Sequence, residues 1–319
     1  MLAMHISPNS PINEILERAR KVIDSDVPIL LEGESGTGKT FLAQQIHLMR
    51  GPGAGPFRVF LCGGLPETLF ESEMYGYEPG AFTGARKRKI GLIERASRGT
   101  LFLDEVENLS PPIQAKFLRV LDEKKFFRLG SSRERQVSFR LISATNQDLQ
   151  MRIDAGEFRK DLYYRLAGIT LTLPPLRQRP QDILPLAHHF LEQTARNLGK
   201  ELALSEKAEE FLLGCSWPGN VRQLKDTISI VATSSPAGLI EPDVFAHMLQ
   251  WEEAPKHDES LRAMEMRHIA AVLRKYNYNR ARTARALGIS ETTLRSKIKK
   301  YGLGDRHGDD TDTPSISDG

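Results

Sequence analysis

Residues 29–40 read ILLEGESGTGKT, and the fold follows from how they are read. The apolar run Ile29–Leu31 predicts a buried strand, the glycines a tight loop, and Phe41–Met49 a helix. Strand, loop and helix in that order fit the pattern G-x-x-x-x-G-K-[ST] from Gly33 to Thr40. Gly33, Gly36 and Gly38 let successive backbone N–H groups converge on a phosphate with no Cβ in the way. The start of the helix adds its positive end. On this reading Glu34, Ser35 and Thr37 complete the cradle, Lys39 reaches the β- and γ-phosphates, and Thr40 holds Mg²⁺ through its hydroxyl. The bland alternative, a surface turn after a strand, leaves the lysine and the flanking helix unexplained.

Working outward, Thr100–Leu103 predicts a second buried strand, ending in Asp104 and Glu105. A Mg·ATP hydrolase needs such acids opposite its phosphate loop. Asp104 would hold the metal through its water shell, and Glu105 would activate the attacking water. Val137–Ala144 predicts another strand, with Thr145 and Asn146 at the carboxyl end, where ligands of open parallel sheets bind. Arg159 and Arg165 stand six apart in EFRKDLYYRL and do not share a helical face well. One of them is expected to point towards a neighbouring subunit, the alternative being ordinary surface ion pairs. In WPGNVRQL, Asn220 is expected to cap a helix, with Arg222 in its first turn beside an anion.

The glycine-rich stretch 76–85, GYEPGAFTGA, reads as a loop exposing Phe82, followed by the basic run Arg86–Lys89. Other helices are expected at 13–24, from near Pro66, at 90–96, 112–122, 157–166, 180–198, 205–213 and 219–232, and strands at 58–61 and 126–129. The main body is expected to end near residue 233, with 239–251 an apolar patch of no assigned role. Of 319 residues, 27% are charged and 40% apolar, ordinary for a water-soluble chain. No apolar run is long enough to span a bilayer and no basic-then-apolar leader opens the chain, so a cytoplasmic protein without membrane contact is expected. Cys62 and Cys215, two lone cysteines, agree with a reducing compartment and are expected to be buried and inert. No histidine has metal-ligand spacing, so no zinc is expected.

The net charge of +3 conceals a division: residues 261–303 carry +9, the tail 304–319 carries −4, and residues 1–260 carry −2. The basic segment reads as three helices, 266–276, 280–287 and 291–300, with a Gly288 turn between the last two. That is a helix-turn-helix arrangement suited to double-stranded DNA. Ser290 would cap the last helix. Thr292, Thr293, Arg295 and Ser296 would meet base edges, and Lys297, Lys299 and Lys300 phosphates.

These motifs together resemble the bacterial enhancer-binding activators of sigma-54 RNA polymerase, the NtrC-like group of AAA+ ATPases, over about residues 12–303. GESGTGKT is similar to their Walker A segment and TLFLDE to their Walker B. ATNQDL resembles sensor I, FRKDLYYRL the arginine-finger segment, WPGNVRQL sensor II, and LPPLRQRPQDI (173–183) the segment leading into the lid. GAFTGA, residues Gly80, Ala81, Phe82, Thr83, Gly84 and Ala85, is similar to the loop that engages sigma-54. ARALGISETTLRSKIKKYGL resembles the Fis-type helix-turn-helix. Composition and resemblance together imply an α/β fold: a short irregular start (1–11), a P-loop core with an open parallel sheet (12–173), an α-helical lid (174–233), a linker (234–260), a small all-α DNA-binding domain (261–303) and a disordered acidic tail (304–319). The resemblance also implies a homo-oligomeric ring, usually a hexamer, with ATP between subunits. Hydrolysis would drive the 80–85 loop against the closed promoter complex of sigma-54 holoenzyme and open it.

Two departures qualify the resemblance. Leu61 stands where the family has an asparagine that pairs with the Walker B glutamate, so altered coupling of hydrolysis to loop movement is expected, with hydrolysis retained. No sensing domain precedes residue 12, so the protein is expected to be active when made or restrained in trans by a regulatory protein. A DNA-binding regulator with a weak ATPase, independent of sigma-54, is the alternative, supported by Leu61. A P-loop remodelling ATPase with no transcriptional role would leave GAFTGA and the helix-turn-helix unexplained.

Overall fold

The computed structural model describes residues 6–249, 265–266, 268–270, 272–273, 276 and 279–301. It divides into two compact units, Met1–Glu252 and Glu253–Gly319. The expected tail 304–319 and residues 250–260 of the expected linker lie outside the described residues.

The first unit opens with α1 (Pro11–Arg20), where the Ser10 hydroxyl accepts from the Ile12 N–H and Pro11 fills the first helical position. Strand β1 (Ile29–Glu32) leads through the phosphate loop into α2 (Lys39–Leu48). Strand β2 (Phe57–Leu61) and α3 (Glu67–Tyr75) follow, then two short strands, β3 (Gly76–Tyr77) and β4 (Lys89–Ile90), which bracket the 80–85 loop. Next come α4 (Leu92–Arg95), β5 (Thr100–Asp104), α5 (Pro111–Glu123) and the short pair β6 (Lys125–Phe126) and β7 (Arg135–Gln136). Strand β8 (Arg140–Thr145), α6 (Leu149–Asp154), α7 (Lys160–Leu166) and β9 (Ile169–Thr172) complete the α/β part.

Five strands form one parallel sheet in the order β2-β5-β8-β1-β9. Alternation along each strand covers both faces, as an all-parallel sheet requires. Ile29 and Leu31 enter the cluster with Ile15, Ala19, Leu42 and Ile46, whereas Leu30 joins Met74, Phe117, Val120 and Leu162 on the opposite face. Phe102 and its neighbours Leu101 and Leu103 divide in the same way. Full burial of each such side chain is worth about 1.5–3 kcal/mol. The carboxyl ends of β1, β8 and β5 adjoin, so the phosphate loop, Asn146 and the Asp104–Glu105 pair share one rim.

Several expected boundaries move for identifiable reasons. The first helix stops at Arg20, not Asp24, and the carbonyls of Val22 (2.9 Å), Ile23 and Ser25 (3.1 Å) turn to the buried guanidinium of Arg140. Ile90, expected in a helix, pairs with Gly76. The strand expected over 126–129 is cut to Lys125–Phe126, and the Leu129 backbone bonds instead to Gly76 and Glu78, ahead of the 80–85 loop.

The rest of the first unit is a helical subdomain: α8 (Ile183–Leu198), β10 (Leu202–Leu204), α9 (Glu206–Gly214), α10 (Asn220–Ser234), β11 (Gly238–Ile240) and α11 (Pro242–Leu249). Its core gathers Leu176, Leu191, Trp217, Ile228, Ile240 and Phe245. Residues 238–249, assigned by sequence to the linker, therefore belong to this subdomain: β11 pairs with β10, and Ile240 and Phe245 are buried. The expected end near residue 233 falls short because Ile240 and Phe245 complete the core.

In the second unit, α12 (Arg280–Leu287) is capped by Asn279 and ends at Gly288, whose φ of 67° suits glycine. Helix α13 (Glu291–Tyr301) follows. Ile269, Leu273, Ala284 and Leu294 form its small core. Among the described residues, no helix is long and apolar enough to cross a membrane.

Candidate active site

The phosphate loop is built on positive φ: Gly33 at 149°, Gly36 at 77° and Gly38 at 103°. Gly36 also needs its bare Cα, because a Cβ there would lie 2.4 Å from the Gly219 carbonyl oxygen. Lys39 is buried, and its ammonium donates to the carbonyl oxygens of Gly33 (2.7 Å) and Glu34 (3.0 Å), holding the loop in shape. Burial lowers its pKa, opposed by Asp104 and Glu107. The Thr40 hydroxyl lies 3.0 Å from Asp104 Oδ2 across the rim. These two hard oxygen donors fit Mg²⁺, which takes one or two protein ligands and completes its shell with phosphates and water. Among the described residues, no group of three or more His, Cys, Asp or Glu could hold a metal.

Glu105 sits one residue beyond β5 with φ 57°, a left-handed conformation that turns the chain sharply, and its N–H donates to Asp104 Oδ1 (3.0 Å). Its Oε2 accepts from Asn108 Nδ2 at 3.1 Å. Leu61, at the expected partner position, is 51% exposed and offers no donor. Of the two residues expected to face the γ-phosphate, Asn146 is exposed on the rim, and Glu107 Oε1 accepts from its backbone N–H (3.3 Å). Thr145 differs from expectation. Its buried hydroxyl is spent on the Gln147 backbone, at 3.1 Å to both N and O.

The helical subdomain closes over this rim through Asn220 and Arg222 and through two residues to which the motif reading gave no role, Arg177 and Arg179. Arg177 grips Glu34 with both guanidinium nitrogens (2.8 and 2.5 Å). Arg177, followed by Asn220, pulls the Glu34 carboxyl down to about 2. Asn220 does not cap α10 as expected; Gly219 holds that position. With φ at 54°, the buried Asn220 side chain instead accepts from Leu176 N–H (2.8 Å) and donates to Glu34 Oε2 (3.1 Å) and the Ser35 carbonyl (3.0 Å). Arg179, also buried, donates to the Thr37 carbonyl at 2.6 Å and pairs with Asp182. Arg222 is in the first turn as expected, with Nη1 3.0 Å from Ser35 Oγ.

A cleft of about 580 Å³ brings Glu34, Ser35, Asn146 and Arg222 together. Beside it, an apolar cavity of about 300 Å³ opens between Ile12, Gly38, Leu173, Phe190 and Val221, a shape suited to a flat heterocycle. Its walls come from distant parts of the chain, so no local motif announces them.

Arg159 and Arg165 stand apart from this cluster. Arg159 forks onto Asp161 (3.0 and 2.6 Å), and Arg165 reaches Asp122 (3.1 Å) and the Leu121 carbonyl (3.2 Å). Both side chains are about half exposed, at 48% and 46%. Both cysteines are free and buried, and burial raises the pKa of each, that of Cys215 to about 11.

The 80–85 loop is folded on itself, with Gly80 N–H donating to the Ala85 carbonyl (2.9 Å) and Ala85 N–H to the Phe82 carbonyl (3.0 Å). Phe82 is 47% exposed, with one ring edge against Tyr77 at 4.9 Å. Under the loop lies a second one: Glu78 N–H donates to the Leu129 carbonyl (3.0 Å), and Leu129 N–H to the Gly76 carbonyl (2.9 Å). Buried Arg128 joins Glu78 (2.7 Å) to Glu94 (2.6 Å).

In the second unit, Ser290 Oγ accepts from Thr293 N–H at 3.1 Å, capping α13 as expected. Thr292, Thr293, Arg295 and Ser296 are exposed on it. The Lys297 ammonium, expected at a phosphate, is held by Glu265 at 2.5 Å. The Lys299 side chain lies outside the described residues.

With this geometry in view, comparison with known proteins is informative. Residues 6–172 match the family described as "Sigma-54 interaction domain", 177–262 an AAA+ ATPase lid domain, and 260–301 "Bacterial regulatory protein, Fis family". The chain is 41% identical over 313 residues to the regulatory protein AtoC of Escherichia coli K12, covering 94% of this chain and 68% of AtoC. It is 47% identical over 237 residues to the Nif-specific regulatory protein of Azospirillum lipoferum, covering 74% of this chain but 38% of that protein. The crystal structure of NtrX from Brucella abortus in complex with ATP superposes with a TM-score of 0.69 at 29% identity, covering 93% of this chain and 69% of NtrX.

Proposed function

Because the chain belongs to the sigma-54-dependent AAA+ family of bacterial transcription regulators with a Fis-type helix-turn-helix, we propose that it hydrolyses ATP and uses the cycle to open the promoter complex of sigma-54 holoenzyme from an upstream DNA site. The observation that carries this reading is the meeting of Lys39, Thr40, Asp104 and Glu105 on one rim of the five-stranded sheet, in a chain that also exposes Phe82 on the loop between β3 and β4.

In this reading the base of ATP enters the apolar cavity, the backbone N–H groups of the loop 33–40 receive the phosphates, and Thr40 and Asp104 would hold Mg²⁺. The metal supplies charge neutralisation on the phosphates. Glu105 takes the proton from the attacking water, Asn146 reads the γ-phosphate, and Arg222 reports it to the helical subdomain. Arg159 and Arg165, turned away from their own chain's site, complete that of a neighbouring copy, so that catalysis depends on a homo-oligomeric ring, in this family a hexamer. The loop 80–85, with Phe82 at its tip, presses on sigma-54.

DNA recognition is assigned to α13, through Thr292, Thr293, Arg295 and Ser296. Replacing Arg295 with alanine should weaken site-specific DNA binding by about 1–3 kcal/mol, roughly 5- to 150-fold, and leave ATP turnover unchanged. A gel-shift titration beside an ATPase assay measures both. Enhancer affinity equal to wild type would sink the assignment of α13 as the reading helix.

A further inference from the structure

We propose that Asn108 is the positioning residue of Glu105, and that Gly63 makes room for the pair. The inference rests on the reading of Glu105 as the group that activates water. Beyond β5 the chain turns at Glu105 through φ 57° into the short turn Val106–Asn108. That turn is closed by Asn108 N–H donating to the Glu105 carbonyl at 3.0 Å. The same fold-back brings the Asn108 amide to the Glu105 carboxylate, with Nδ2 3.1 Å from Oε2. One backbone and one side-chain hydrogen bond therefore join the same two residues, fixing where the carboxylate points. Among the described residues, the Asn108 side chain has no other hydrogen-bond partner.

The neighbouring strand is shaped around this pair. Leu61 lies in register with Asp104, and Cys62 N–H donates to the Asp104 carbonyl at 2.9 Å, so the chain leaving β2 runs beside Glu105. The next residue is Gly63. A Cβ there would come within 2.4 Å of Glu105 Oε2 and 2.9 Å of Asn108 Nδ2. The Gly63 backbone is not in the left-handed region, so what the glycine contributes is space. Leucine at 61 has no donor to offer from that strand. Asn108, held on the acid's own turn, supplies one.

A general base must stay within hydrogen-bond reach of the proton it takes, and small displacements are costly. Asn108→Ala and Asn108→Asp should each lower kcat for ATP by about tenfold and leave KM unchanged. Asp keeps the shape of Asn but exchanges the N–H donor for a second carboxylate facing Glu105, which pushes the acid out of place and which a role in packing alone would not feel. Asn108 is exposed, so both variants should fold, as a melting curve checks. Gly63→Ala, which pushes on the pair from the other strand, should reproduce the loss of kcat. Wild-type kcat in Asn108→Asp, wild-type kcat in Gly63→Ala, or a loss that appears in KM would each overturn the proposal. Glu105→Gln in the same assay separates the two layers: if it hydrolyses ATP at the wild-type rate, the reading of Glu105 itself fails. If Glu105→Gln is inactive while Asn108→Asp is normal, the present inference alone fails.

Discussion

Glu105→Gln should bind Mg·ATP as tightly as the native chain and hydrolyse it about 10²–10⁴-fold more slowly, the usual contribution of a positioned general base. The physical reason is local. In the proposed reading Lys39 and the glycine loop make the phosphate cradle, and Thr40 and Asp104, 3.0 Å apart, would hold the metal, without help from Glu105. Glutamine keeps the size and can still meet Asn108, but it cannot accept a proton from water. Binding and chemistry should therefore separate. Equilibrium binding of a fluorescent ATP analogue and steady-state phosphate release measure the two halves. A variant that turns over within threefold of wild type would remove Glu105 from the mechanism.

The second large effect concerns Arg128. Its side chain is 2% exposed and sits between Glu78 and Glu94, which are 27% and 30% exposed, with Arg135 behind them at 3.5 and 3.7 Å. Glu78 lies two residues ahead of the 80–85 loop and Glu94 follows it on α4, so one guanidinium ties the two roots of the loop together. Arg128→Met would leave two carboxylates facing each other with their main cation gone, a change that costs about 2–4 kcal/mol in a partly buried setting. The phosphate site contacts none of these side chains, so basal ATP turnover should stay within about threefold, whereas activation at a sigma-54 promoter should fall by more than tenfold. Arg128→Lys should be intermediate, since one ammonium cannot fork onto both acids. Thermal melting, ATPase and transcription assays on the same preparation test this, and a folded Arg128→Met protein with full activation would refute the tie.

The parts of this molecule legible in the sequence are those where one short stretch carries its own chemistry. GESGTGKT and LFLDE state their strands, turns and ligands within a few residues, and their meeting follows from the parallel sheet. What the sequence left dark is assembled from afar. Arg177 meets Glu34 across 143 residues, and Asn220 reaches Glu34 across 186. Asn220 looked like a helix cap because asparagine often is one, yet its left-handed backbone aims the amide at the phosphate loop. The segment 239–249 looked like a linker because it follows a plausible helix end, and only the packed subdomain core shows where Phe245 goes. The ion pair of Lys297 with Glu265, 32 residues away in the chain, was not legible either. Arg159 and Arg165, expected to serve a neighbouring subunit or to make ordinary surface ion pairs, are half-exposed and pair with Asp161 and Asp122 of their own chain.

The central claim is that hydrolysis at the 33–40 loop, and not nucleotide binding alone, drives promoter opening. Permanganate footprinting of open-complex formation on a sigma-54 promoter, with ATP in one arm and a nonhydrolysable ATP analogue in the other, tests it most directly. The account predicts open complexes with ATP, none with the analogue, and none with ATP for Glu105→Gln. Open complexes of equal yield with the analogue would contradict it.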